Sequence, residues 1–277
     1  MALKKVLIAV KTYPTLSEKY DELVCTAGFL EDGSWIRIYP IPFRKLADES
    51  QYKKWQWITI DLERNIKKDQ RGESYRPVDI DKPILLGPIV PTDNNWAYRK
   101  PYVLHEVYTN MEELIAESQR PPYKSLAVVK PTQIKDFIWE EVDRDWNLEK
   151  LKAVYANQMQ GDLFKQEDER VAFTVAKKLP YKFSYVFTTE DGKERTLMIE
   201  DWELGMLYWN CLATANGNER IACQKVKEMY FNKMVQGKDF YFLMGTTLKH
   251  HIGSPNPFII IGTFYPKHED PELSLFE

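Results

Sequence analysis

Five arginines, Arg37, Arg44, Arg64, Arg71 and Arg76, together with Lys67 and Lys68, lie in and around strand-like segments that carry Trp35, Tyr39, Trp55 and Trp57. This is the side-chain chemistry that single-stranded nucleic acid asks for. Bases stack on aromatic faces while cations follow the phosphates, at roughly 1–3 kcal/mol per stacked base. Long basic side chains also simply cover apolar surface, which is the plain structural account of the same residues. Asn94-Asn95-Trp96-Ala97-Tyr98-Arg99-Lys100 is a second polar, aromatic and basic cluster. Trp96 and Arg99 there are candidates for clamping a base or a phosphate. A helix start capped by Asp93 explains the cluster without function. The candidate nucleic-acid contacts are therefore Trp35, Arg37, Tyr39, Arg44, Lys67, Lys68, Arg71, Arg76, Trp96 and Arg99.

Catalytic chemistry is harder to find. His250 and His251 are adjacent, so on a strand they face opposite sides, and no third ligand stands at a metal-site spacing. Glu200, Asp201 and Glu203 are close together, but the start of a helix accounts for acidic residues there. His105 and Glu106 have no serine or cysteine nucleophile at a known spacing, and phosphate-loop, dinucleotide and nucleophile-elbow patterns are absent. Cys25, Cys211 and Cys223 show no C-x-x-C spacing and cannot all pair, so buried thiols are expected. No cofactor, metal or catalytic residue is assigned. An enzyme acting on nucleic acid or a nucleotide, centred on Glu200, Asp201 and the histidine pair, stands as the rival reading. A protein-binding subunit of a toxin or defence system is the third.

The 277 residues are 44% hydrophobic and 13% aromatic, enough for a large core rich in sheet-forming side chains. A net charge of −3 argues against attraction to nucleic acid by bulk charge, but the charge is uneven. Residues 44–76 and 220–251 are basic, whereas 139–170 and the end of the chain are acidic. The apolar run near the N-terminus is short, nothing approaches a membrane span, and a cytoplasmic protein is expected.

The positions of the strands and helices follow from periodicity. Val6–Val10, Leu23–Phe29, Trp35–Pro40 and Trp55–Leu62 read as strands, with Asp32-Gly33 turning the second into the third. Strict alternation puts Trp35, Arg37 and Tyr39 on one face and Ile36 and Ile38 on the core face. Helical spacing appears over 111–119 and 147–159. Phe183–Phe187 and Arg195–Ile199 form a hairpin across Asp191-Gly192. Two helices follow, over 202–211 and 221–234, and two apolar strands, Phe240–Gly245 and Phe258–Phe264, close the chain. The sum is an α+β protein of two small β-barrel, OB-like lobes with inserted helices. The expected division is 1–160, 161–265 and a flexible tail over 266–277.

That tail ends Glu272-Leu273-Ser274-Leu275-Phe276. It resembles the Gln-Leu-Ser/Asp-Leu-Phe peptide with which bacterial replication and repair proteins dock on the sliding clamp, with glutamate in place of glutamine. The resemblance implies a clamp as partner. The plain alternative is that Leu275 and Phe276 cover the protein's own core. The segments Glu22–Gly28, Gly33-Ser34-Trp35-Ile36-Arg37 and Phe183–Trp202 resemble the prokaryotic dual OB-containing proteins. That resemblance implies two oligonucleotide-binding-type barrels and, by analogy of fold, nucleic-acid or nucleotide binding. The expected function is a nucleic-acid-associated accessory protein, on DNA or RNA, recruited to replication or repair assemblies.

Overall fold

A computed structural model describes residues 2–17, 21–64, 66, 69–162, 174–251 and 253–269. The first lobe contains strands β1 (Ala2–Lys11), β2 (Thr15–Ser17), β3 (Asp21–Phe29), β4 (Trp35–Ile41), β5 (Gln56–Arg64), β6 (Ser74–Pro77) and β7 (Leu85–Ile89). Strand β1 pairs with β5 through residues 2–7 and with β3 through residues 7–11, across a bulge between Ile8 and Val10. This double pairing closes a five-stranded barrel in the order β1-β3-β4-β6-β5 and back to β1. All its pairs are antiparallel except β4 with β6. Numbered within the barrel, the order is 1-2-3-5-4-1, a closed Greek-key barrel of OB type.

The second lobe begins at β8 (Val107–Tyr108) and continues through helix α1 (Met111–Ser118), β9 (Leu126–Val129), β10 (Gln133–Glu141) and α2 (Leu148–Asp162). Strands β11 (Tyr181–Thr188) and β12 (Glu194–Met198) precede helices α3 (Trp202–Thr214) and α4 (Glu219–Lys227), and α4 runs into a π-helical turn over Glu228–Lys233. Strands β13 (Tyr241–Thr246) and β14 (Phe258–Phe264) complete it. β9 and β10 act as two halves of one bent strand, the first pairing with β13 and the second with β11. A parallel bridge between Ile199 and Ile260 and the bond from Glu200 N to Ile260 O (2.8 Å) join the end of β12 to β14. The five-strand order of the first barrel thus recurs with a looser seam, and α3 and α4 sit between its third and fourth strands.

Local chemistry explains the turns and helix starts. Gly33 (φ 83°) and Gly192 (φ 71°) take the left-handed positions of the two hairpins, beside Asp32 and Asp191, whose Oδ1 atoms accept the amides of Ser34 and Lys193. Asn110, Asp201 and Asn218 cap α1, α3 and α4 by accepting the amides of Glu112, Glu203 and Ile221.

Alternation along the strands fills three cores. Val6, Ile8, Ile36, Ile38, Ile58 and Ile60 point into the first barrel. Ala127, Val129, Phe242, Met244, Phe258 and Ile260 point into the second, where Leu204, Tyr208, Cys223 and Val226 of α3 and α4 meet them. The intervening residues are apolar too. Leu7, Ala9, Ala27, Phe29 and Trp57 on the outside of the first barrel pack against Leu126, Val128, Tyr241, Leu243 and Ile261 on the outside of the second. Along this contact the strands are apolar on both faces, as expected for sheet covered on both sides.

Three expectations change. The lobes divide near residue 106, not 160, because β9 and β10 hydrogen-bond to β13 and β11 and belong with them. The face carrying Trp35, Arg37 and Tyr39 is not uniformly open: Arg37 is 2% exposed and Trp35 half-buried, while Tyr39 is exposed. The Asp93 cap is not formed. Thr92 holds the cap position without a side-chain bond, and Asn94, Asn95 and Trp96 take left-handed φ values of 50°, 55° and 66°.

Candidate functional site

The basic and aromatic residues expected to share one binding face are spread over three places. Arg37 donates to Ser125 Oγ (2.6 Å), Ser125 O (3.0 Å) and Thr246 O (3.3 Å), so its guanidinium joins the lobes. Arg71 is also buried, forked onto Asp69 (2.8 and 2.7 Å) and donating to Thr246 O (2.7 Å). Neither guanidinium faces solvent. Arg76 pairs with Glu63 at the surface, and Trp35 packs on Phe29 with ring centres 4.1 Å apart. Arg99 lies between the Trp55 and Trp96 rings and donates twice to Val90 O, supporting the chain rather than a ligand. Lys67, Lys68 and residues 272–276 lie outside the described residues.

Arg44 is the exception, because it borders a cleft of about 520 Å³ between the lobes. Tyr13, Trp202 and Trp209 supply its aromatic walls, and Arg44 and Lys177 its cations. Tyr13 follows the end of β1, in the connection between the first and second strands of its barrel. Trp202, Met206, Trp209 and Ala213 line one side of α3 at helical spacing, beside the core stripe of Leu204, Tyr208 and Cys211. Gly205 permits the approach of these parts, since a Cβ there would lie 2.1 Å from the Tyr13 ring. The Tyr13 hydroxyl accepts from Trp209 Nε1 (2.8 Å) and donates to Lys177 O (2.8 Å), which fixes both rings. Burial raises its pKa, so it remains a neutral donor. Arg44 is oriented by Glu22 Oε2 (2.7 Å) and Thr174 O (3.2 Å), and Glu22 Oε2 also accepts the amide of Ala176 (2.7 Å).

A charged layer lies behind Trp202. Lys54 Nζ contacts Asp201 Oδ2 (2.8 Å), Asp201 Oδ1 (3.1 Å) and Glu203 Oε2 (3.2 Å), bridging the first barrel to the start of α3. Burial opposes the charge on Lys54, but Asp201 and Glu203 outweigh it and hold the amine above its ordinary pKa. Lys11 stands close by, its Nζ 4.3 Å from the Phe43 ring centre and 5.3 Å from that of Trp202. Burial, followed by the like charge of Lys54, lowers its pKa to about 8. Asp201 is thus a helix cap and ion-pair partner. His251 belongs to a separate network, bonded through Nδ1 to Thr246 Oγ1 (2.9 Å), while His250 is exposed. The structure therefore does not gather Asp201 and the histidines into one centre. Among the described residues no cluster of three His, Cys, Asp or Glu side chains could hold a metal, and no helix is long and apolar enough to cross a membrane.

Tyr13, Trp202, Trp209 and Lys177 were not singled out by sequence. One signal for them was available in the second apolar stripe of α3, which is wider than a helix covering a single core requires.

Residues 2–105 match one domain of unknown function, DUF8758, and residues 107–277 match a second, DUF8757. The chain belongs to the DUF8757 family. The break between the matches falls where the barrels divide, so the interlobe cleft joins a DUF8758 barrel to a DUF8757 helix. No curated protein and no solved structure matches the chain.

Lys11 gives the charged layer a pH signature. Between its folded value of about 8 and the ordinary 10.5, the unfolded chain binds a proton that the native protein does not. Stability therefore rises with pH across this window, by up to about 3 kcal/mol. Denaturant unfolding from pH 8 to pH 10 should show this rise in the wild type relative to Lys11→Met. Parallel curves for the two proteins would contradict it.

Proposed function

We propose that the protein binds single-stranded nucleic acid at the interlobe cleft, as an accessory factor rather than a catalyst. The observation that carries this reading is the convergence of three aromatic rings and two cations on one cavity of about 520 Å³. Splayed bases stack on such rings whatever their sequence, and Arg44 and Lys177 are placed to follow the backbone. The connection between the first two strands, where Tyr13 sits, is one of the places where OB barrels take oligonucleotides, which supports the reading by analogy of fold. The resemblance of the Gly33–Arg37 and Phe183–Trp202 segments to dual OB-containing proteins points the same way.

Titration of tryptophan fluorescence with single-stranded DNA and RNA tests the proposal. Affinity should fall as salt rises, with a slope near −1.4 if two phosphates are neutralised, and Lys177→Ala should reduce that slope by about 0.7. Trp209→Ala should weaken binding by roughly 5- to 150-fold, the equivalent of one stacked base. No binding of either nucleic acid at low salt would reject the function.

In the same reading, residues 272–276 tether the protein to a sliding clamp. Support comes from the sequence pattern and from the way the preceding chain is fixed. Lys267 N donates to Asn95 Oδ1 (2.6 Å), Asn95 Nδ2 donates to Lys267 O (2.9 Å), and Lys100 pairs with Glu269. Phe276→Ala should abolish capture by an immobilised clamp from the same organism, and undiminished capture would remove this part of the proposal.

A further inference from the structure

A second cleft, of about 680 Å³, lies next to the first. The two share their dividing wall. Tyr13 and Pro14 line the first and Thr15 and Leu16 the second; Ala176 and Lys177 line the first and Lys178 the second. The wall is narrow and tied by hydrogen bonds: Tyr13 Oη donates to Lys177 O (2.8 Å), Trp146 Nε1 to Ala176 O (2.8 Å), and Lys178 Nζ to Asp145 O (3.2 Å). Three residue steps, from Tyr13 to Leu16, span at most about 10 Å. At the stacked rise of about 3.4 Å per nucleotide, a single strand covers that distance in roughly three nucleotides.

The second cleft offers a more polar version of the first, with one aromatic ring and several charged side chains. Trp146 lines it with its N–H already satisfied by the chain, which leaves the ring to act by stacking. Arg144 is held by Glu141 and Glu219, and the cleft is also lined by Lys150 and by Lys178, whose amine donates to the neutral carbonyl of Asp145. Asp143 and Asp145 also line it, and the five charged side chains sum to one net positive charge. They favour a ligand that offers both phosphates and N–H donors, as a nucleotide does. A mononucleotide filling the first cleft would leave this second platform empty.

We infer that the two clefts are consecutive subsites for one single-stranded polynucleotide, with a base on Trp202 or Trp209, the backbone crossing the Tyr13–Lys177 bond, and another base on Trp146. The inference rests on the nucleic-acid reading above and adds that one strand occupies both clefts. It also assigns to Trp146, Lys150 and Lys178 a role that mononucleotide binding would not need.

Fluorescence anisotropy at low salt, with labelled mononucleotide, dinucleotide and hexanucleotide, separates the two ideas. The hexanucleotide should bind at least about tenfold more tightly than the mononucleotide. Trp146→Ala should remove roughly 5- to 150-fold of the hexanucleotide affinity and leave the mononucleotide unaffected. If Trp146→Ala does not fold, Lys150→Glu, an exposed change on α2, decides the matter by weakening the hexanucleotide alone. Equal affinity for all lengths, or variants that leave the hexanucleotide unchanged, would overturn the two-subsite inference while the function stands. Failure of every nucleotide, with an uncharged oligosaccharide bound in a Trp146-dependent manner, would overturn both.

Discussion

Everything else in this protein depends on the burial of one apolar surface, the outside of the first barrel against the outside of the second. Leu7, Ala27, Phe29 and Trp57 on one side and Val128, Leu243 and Ile261 on the other form a contiguous patch. Left in water, such a patch makes a lone barrel prone to association. Placing it inside turns two small domains into one unit with three cores. The cations that bridge the junction are paired. Thr246 O receives Arg37 and Arg71, and Asp201 receives Lys54, so these three cations each have a partner across the seam. Removal of one partner from such a pair strands a buried charge and is more damaging than loss of an exposed ion pair.

This packing also redirects the binding surface. An OB barrel ordinarily offers the outer face of its second and third strands to a ligand. In the first lobe part of that face carries Arg37, whose guanidinium is occupied by the second lobe. What remains is the rim, where the loop after β1 meets the extra apolar stripe of α3. There the Trp209–Tyr13–Lys177 chain of hydrogen bonds holds the rings in place before any ligand arrives, so little side-chain entropy remains to be lost on stacking.

Much of the architecture was legible in the sequence because its signals are local. Asp-Gly turns, the acidic helix start at Asp201 and period-two alternation fixed the hairpins, the α3 start and the Ile36/Ile38 core face. The errors arose where both faces of a strand are buried. Alternation separates Trp35, Arg37 and Tyr39 from Ile36 and Ile38, but cannot tell that carbonyls from a segment 88 or 209 residues away cover the arginine. The lobe boundary was misplaced for the same reason, since the pairing of β9 with β13 spans more than a hundred residues and leaves no local mark. Of the expected contacts among the described residues only Arg44 borders the cleft, and its aromatic partners come from two other parts of the chain.

Hydrogen–deuterium exchange of the whole protein with and without a single-stranded oligonucleotide tests most directly whether the rim, rather than the covered barrel face, takes the ligand. The predicted result is slower exchange in 13–17, 144–150, 174–178 and 202–213, with 35–41 and 69–76 unchanged. Protection concentrated in 35–41 and 69–76 would contradict it.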